Sequence, residues 1–281
     1  MPHPYHRLTV GFLTQHGKET VVAAALEAEL GCTVARVQGF DTDQLGTFTR
    51  DVDRAGTQWE AARTKALTAI ELSGHPIGLG SEGSFDRHPL LGFVSHNREL
   101  IMLVDRDRDI EIVGIADGPS PHVHGVARTG EELDGIAERA GFPTHWLVVR
   151  PNALDDPRFW KGVRDRDELR LAFDWARELS DDGAVAVESD LRAHANPRRM
   201  ERIAEAARDL AQRAAVLCPV CGCPGFGRVE TVRGLPCAVC WLPTAMARAH
   251  VHGCPRCEHR EVHDIPGRTT ADPQYCDACN P

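Results

Sequence analysis

Apolar positions recur at two alternating spacings along residues 1–215, and that alternation predicts the first part of the fold. Residues 8–14 (LTVGFLT) are almost continuously apolar, as a buried strand is, whereas 18–30 (KETVVAAALEAEL) space their apolar residues along one helical face. A second strand is predicted at 32–39 (CTVARVQG), followed by a polar loop and a helix over 56–73. Residues 76–80 (PIGLG) read as a short strand running into a glycine-rich loop, SEGSF. The stretches 99–104 and 109–115 predict a hairpin joined by the charged turn DRDR. A helix at 129–140, a strand at 145–150, a helix at 166–179 and a strand at 184–188 follow. Asn196 as N-cap and Pro197 in the first helical position then start a long helix running to about Ala215. This order predicts an α/β class, a mixed-sheet αβα domain over 1–215 that ends in the long helix.

The pattern changes at residue 216. Four Cys-x-x-Cys pairs follow: Cys218/Cys221, Cys237/Cys240, Cys254/Cys257 and Cys276/Cys279. Such a turn offers two thiolates to one tetrahedral Zn²⁺, and two turns fill its four positions. The intervals of 15 residues after Cys221 and 18 after Cys257 both match zinc-site spacing. Residues 216–281 are therefore expected to form a small C-terminal double zinc ribbon with two structural zinc ions. The spacing favours consecutive pairing, first pair with second and third with fourth, and also admits a cross-braced order. Cys223 is a spare thiol beside the first pair, Cys32 reads as a small core residue, and His250 and His252 flank Cys254. Disulfides are the alternative, but the opening MPHPYHRL lacks the apolar core of a secretory leader. A cytoplasmic, reducing setting is thus expected, in which thiols persist. No apolar run is long enough to span a bilayer.

Charge narrows the partners. The net charge is −9, and six arginines in the cysteine-rich segment are balanced by three Glu and three Asp, so bulk charge supplies no phosphate-backbone affinity. Nucleic acid is disfavoured as a partner on that ground. Only three lysines occur among 32 basic residues: Lys18, Lys65 and Lys161.

In open α/β sheets, ligands gather beyond the carboxyl ends of the strands. There the chain places His16-Gly17-Lys18, then Asp41-Thr42-Asp43, then Ser81 and Glu82 between glycines, and finally Glu188, Asp190, Arg192 and His194. Lys18, Glu82, Asp41 and Asp43 are the candidate catalytic residues. His16, Lys65, Ser81, Glu188, Asp190 and Arg192 are candidate ligand-binding residues. Cations together with hard oxygen donors suit Mg²⁺ and a phosphorylated small molecule or nucleotide. Each piece also has an ordinary reading: Asp41 and Asp43 as loop caps, Lys65 as a helix-surface lysine, the Glu188–Asn196 run as a polar anchor for the long helix.

Two resemblances rest on these residues. The phrases DTDQLGTFT, GSEGSF, ESDLRAHANPRRM, CPVCGCPGFG, GLPCAVC and CDACNP resemble an uncharacterised bacterial family known as a domain of unknown function. That family has Gly-Glu after GTFT where this chain has Arg50-Asp51. Residues 8–115 also resemble the house-cleaning pyrophosphatases that act on inosine and xanthosine triphosphates. The likeness lies in Thr14-Gln15-His16-Gly17-Lys18, in Glu60-Ala61-Ala62-Arg63-Thr64-Lys65-Ala66, and in Glu82 within a glycine-rich segment. The first motif is one residue shorter than theirs and has His for Asn, and their purine-recognition segments have no clear counterpart. The resemblance implies that Lys18 binds phosphate, Lys65 neutralises charge, and Glu82 with Asp41 or Asp43 holds Mg²⁺. The contrasting expectation is a non-enzymatic zinc-ribbon protein with an exposed patch such as Arg228, Arg233 and Trp241, binding nucleic acid or a protein.

Overall fold

The computed structural model describes residues 2–40, 56–87, 95–120 and 122–281. The mixed sheet with helices on both faces that the sequence pattern predicts is present, and a second, antiparallel sheet accompanies it. The first comprises β1 (Thr9–Leu13), β2 (Thr33–Val37), β3 (Ile77–Arg87), β4 (Ser95–Asp105) and β5 (Ile110–Pro119), in the order β2-β1-β3-β4-β5. β1 is parallel to β2 and β3, and β3, β4 and β5 form an antiparallel meander. Helix α1 (Glu19–Leu30) links β1 to β2, and α2 (Gln58–Ser73) precedes β3. The second sheet contains β6 (His124–Ala127), β7 (Leu147–Pro151), β8 (Trp160–Val163) and β9 (Val185–Ser189), all antiparallel in the order β6-β9-β7-β8. Helices α3 (Gly130–Ala140) and α4 (Arg166–Leu179) close one face of it through Leu133, Ile136, Leu169 and Phe173.

The last helix, α5 (Pro197–Ala215), returns to the first sheet. It packs with α1 on one face, where Val22, Leu26, Ile203 and Leu210 meet Ile77, Leu79, Ile101 and Leu103. The opposite face belongs to α2, whose Ala62, Ala66 and Ile70 lie on Leu100 and Met102. The approach of α2 is unusually close. A Cβ on Gly78 would sit 2.2 Å from the Ala66 carbonyl oxygen, and one on Gly80 would sit 1.9 Å from that of Ala62. Glycine on the strand and alanine on the helix therefore let the two backbones touch. A capping box of Thr57 and Glu60 fixes where α2 begins.

The cysteine-rich segment carries a third sheet of β10 (Gly227–Arg233), β11 (Ala247–Gly253) and β12 (Arg260–Asp264), ordered β10-β11-β12. Its first knuckle joins the main core, since Cys218, Cys223 and Phe226 are buried in the same cluster as α1 and α5. Cys32 is buried there too, as its sequence context predicts. Among the described residues no helix is long and apolar enough to cross a membrane.

Candidate functional sites

The five-stranded sheet reverses its winding between β1 and β3. From β1 the chain goes through α1 to β2 on one side, and β3 lies on the other side with α2 on the opposite face. Such a switch point leaves a crevice beyond the strand ends. β1 stops at Leu13, whereas β3 runs on to Arg87, so Ser81 and Glu82 project past the end of β1. The segment SEGSF, expected as a loop, is thus strand: each residue from Ser81 to Phe85 is paired with β4. Glu82 is held rigidly by that pairing.

Strand alternation sends consecutive side chains to opposite faces. Ser81 points to the α1/α5 face and accepts a 3.1 Å hydrogen bond from the Nζ of Lys18. Glu82 points to the α2 face, where its carboxylate pairs with the Nζ of Lys65. Both lysines are buried, and so are Ser81 and Glu82. The close seat of α2 on Gly78 and Gly80 is what carries Lys65 inward, so the surface-lysine reading of Lys65 is set aside. Lys18 and Glu82 therefore flank the end of β1 from opposite faces of the sheet.

Lys18 is also the N-cap residue of α1, and Gly17 before it takes φ +70°. A helix start exposes unpaired N–H groups and a positive dipole end, which disfavours a cation there. Burial, and next the nearby Arg199 guanidinium, pull the Lys18 amine from its ordinary 10.5 down to about 7. His16 is likewise drawn down to about 3, by burial first and then by Lys18, His194, Arg199 and Arg192.

The second unit closes this side of the crevice. The ring of His194 lies 5.0 Å from that of His16 and 5.4 Å from Trp146. Arg192 forks onto Asp190 at 2.5 and 3.0 Å, and Glu188 accepts a 3.2 Å bond from Arg150. Asn196 caps α5 by accepting from the Arg199 N–H at 3.1 Å. Arg199 then reaches Glu99 on β4, the strand beneath α5, with Nε to Oε1 at 2.7 Å, and donates to the carbonyl of Leu191, in the segment after β9, at 2.6 Å. Asn97 donates to the same Glu99 oxygen at 2.9 Å.

The structure thus gathers Lys18, His16 and Ser81 on one face with Lys65 and Glu82 just across the strand. Asp190, Arg192 and Glu188 stand nearby but are engaged in ion pairs within their own unit. Asp41 and Asp43 lie outside the described residues. Glu99, Arg199, Asn97, Arg150 and Trp146 are not marked out by the sequence pattern. Glu99 opens an apolar run and Arg199 sits in the first turn of a helix with little else to distinguish it. Their one signal is a charged residue at a core-facing position.

The eight paired cysteines form two clusters. Cys218, Cys221, Cys254 and Cys257 make one, and Cys237, Cys240, Cys276 and Cys279 the other. The consecutive pairing favoured by spacing is therefore corrected to the cross-braced one: β10 and β11 pair antiparallel with Gly227 opposite Gly253, which returns the third knuckle to the first. Sulfur–sulfur distances of 3.8 and 3.6 Å in the first cluster and 3.9 and 3.5 Å in the second are far from a disulfide bond. They match the edge of a tetrahedron with Zn–S bonds of about 2.3 Å, which is about 3.8 Å. Backbone N–H groups of Cys240 and Val239 hold the Cys237 thiol down to about 7, whereas hydrogen bonding to Cys240 pushes Cys279 up to about 12. A divalent cation resolves that conflict by stabilising all four thiolates. These are possible zinc sites, and the residues fit the ion. Neither His250 nor His252 belongs to either cluster.

The first two knuckles differ in the residue that follows their second cysteine. After Cys221 the left-handed residue is Gly222, φ +67°; after Cys240 it is Trp241, φ +61°, and 69% of its surface is exposed.

Residues 65–281 match the family described as a domain of unknown function, DUF6671, and the chain belongs to that family. No curated protein and no solved structure matches it. The matched span begins at Lys65, so it holds Ser81, Glu82, Glu99, Arg199 and both cysteine clusters, while His16 and Lys18 precede it.

Proposed function

We propose that the crevice beyond β1 binds phosphate and that the protein is a Mg²⁺-dependent hydrolase acting on a nucleotide or related phosphorylated small molecule. One observation carries this reading: a buried lysine, at the start of a helix, whose hydrogen-bond partner is the neutral hydroxyl of Ser81. Burying a cation without a carboxylate is unfavourable, and an anionic ligand removes the penalty. The likeness of residues 8–115 to inosine and xanthosine triphosphate pyrophosphatases supports it, because Lys18, Lys65 and Glu82 stand in the same order along the chain and meet around one strand end.

In this reading Lys18 and the free N–H groups of α1 receive one phosphoryl group. Lys65 orients Glu82 and offsets its charge. Glu82 fits as one oxygen ligand of Mg²⁺, which takes one or two carboxylates together with substrate phosphates; Asp41 and Asp43 are the further candidates. When bound, Mg²⁺ offsets phosphate charge and lowers the pKa of an attacking water. The cysteine clusters hold structural zinc.

A second reading makes the protein a non-enzymatic zinc-binding adaptor. It is favoured by Trp241, which exposes its indole beside Leu242 and Val239, exposed by 51% and 67%. The test is phosphate and pyrophosphate release from a panel of nucleoside triphosphates, inosine triphosphate included, with and without Mg²⁺. Mg²⁺-dependent turnover lost in Glu82→Gln supports the hydrolase. No turnover of any nucleotide by folded, zinc-loaded protein refutes it and leaves the adaptor reading.

A further inference from the structure

Among the described residues, the crevice brings together more basic groups than unpaired carboxylates. On the α1/α5 face, Lys18 from α1, His16 from the preceding loop, Arg199 from α5, and Arg192 and His194 from the turn after β9 crowd together. Most of the described carboxylates around them are already engaged. Glu99 on β4 holds Arg199, Asp190 holds Arg192 and Glu82 on β3 holds Lys65 from α2 on the other face, while Glu19 meets Arg36 through one oxygen and keeps the other buried without a hydrogen bond among the described residues. Among the described residues, none of these carboxylates makes a hydrogen bond to His16 or Lys18. Arginine does not release its proton in a protein. Relief of the crowding therefore falls on the bases that do, His16 and Lys18 among them.

We infer that the crevice takes a dianionic phosphate group together with protons from solvent, which are added to Lys18 Nζ and the His16 ring as the anion enters. This rests on the phosphate-binding reading above and deepens it by specifying the charge state selected. A dianion set among Lys18, His16, Arg192 and Arg199 reverses the local field and restores the charged forms of both bases. A neutral or singly charged ligand of the same shape does so less. The depressed values of about 7 for Lys18 and about 3 for His16 agree with the free site holding both largely deprotonated above neutrality. Because up to two protons accompany each dianion in this scheme, apparent affinity weakens by up to about a hundredfold per pH unit above neutrality.

The chain's three lysines make a direct test practical. Protein carrying ¹³C/¹⁵N-labelled lysine gives three side-chain signals, assigned by Lys18→Arg, Lys65→Arg and Lys161→Arg. The Lys18 signal in the free, zinc-loaded protein is expected to titrate near neutrality and to move upward when inorganic pyrophosphate is added without Mg²⁺. Calorimetry of pyrophosphate binding in buffers of different ionisation enthalpy is expected to show net proton uptake, reduced in Lys18→Arg, whose charge is permanent. A Lys18 signal titrating near the ordinary amine value, or pyrophosphate binding with no proton uptake, overturns the inference and leaves the phosphate-binding reading standing. Absence of pyrophosphate binding at every pH overturns both.

Discussion

Replacing Lys18 with methionine should make the unliganded protein more stable, the opposite of the usual result for a buried position. The amine falls from 10.5 in the unfolded chain to about 7 in the fold. Between those values the unfolded state binds more protons, so the wild-type protein gains stability as pH rises from 7 towards 10.5. Each tenfold difference in proton affinity between the two states is worth about 1.4 kcal/mol. At pH 7 the penalty for enclosing the amine is therefore about 4 kcal/mol, and by pH 9.5 it has fallen to about 1 kcal/mol. Methionine fills similar volume without the charge but abandons the bond to Ser81, a loss of about 1 kcal/mol. A net gain of about 2–3 kcal/mol is expected at pH 7, shrinking to near zero at pH 9.5. Urea unfolding of both proteins at the two pH values measures it. A variant destabilised at pH 7, or a gain of equal size at both pH values, refutes the argument that Lys18 is a strained cation kept for a ligand. Stabilisation accompanied by loss of pyrophosphate binding would be the mark of a residue retained for function against stability.

Other positions test the supporting structure. Gly80→Ala should destabilise the protein by about 2 kcal/mol or more, because the added methyl collides with the α2 backbone; it should also separate Lys65 from Glu82, read as a changed Lys65 side-chain shift by NMR. Arg199→Met leaves Glu99 enclosed without its partner and should cost about 3–5 kcal/mol in urea unfolding, whereas a loss below about 1 kcal/mol would show that the pair between α5 and β4 is dispensable. Metal analysis should find two zinc ions per chain. Cys218→Ser, in the cluster packed into the main core, should lower the unfolding midpoint of the whole protein more than Cys237→Ser does. Trp241→Gly should leave zinc content unchanged and stabilise the second knuckle by up to about 1 kcal/mol, since glycine suits φ +61°; marked destabilisation would mean that the indole packs more than its exposure indicates.

Much of the framework is legible in the sequence because local patterns agree with it. The apolar spacing locates α1, α2, α3, α4 and α5 closely, and Asn196-Pro197 marks the start of α5 as observed. Cys-x-x-Cys spacing reveals eight ligands but not their partners, since each knuckle looks alike and only the strand pairing of β10, β11 and β12 decides which knuckles meet. SEGSF reads as a loop because glycine and serine favour turns, yet pairing with β4 along its full length overrides that preference. β6 and β8 leave no pattern to read, since four residues each are too few for a period. Without them the separate second sheet is invisible. Lys18 stands out at a helix start and Glu82 as a carboxylate between glycines, whereas Lys65, in the middle of α2, is picked out only by the motif shared with the pyrophosphatases. Glu99 and Arg199 are not, because a pair spanning a hundred positions leaves no local trace.

The most direct test of the central claim is a crystal structure with a non-hydrolysable triphosphate analogue of inosine and Mn²⁺ in place of Mg²⁺, located by its anomalous signal. The account predicts phosphate oxygens at the start of α1 within hydrogen-bond reach of Lys18, and the metal on the Glu82 carboxylate. A nucleotide bound elsewhere, or a metal that leaves Glu82 untouched while the crevice stays empty, would contradict it.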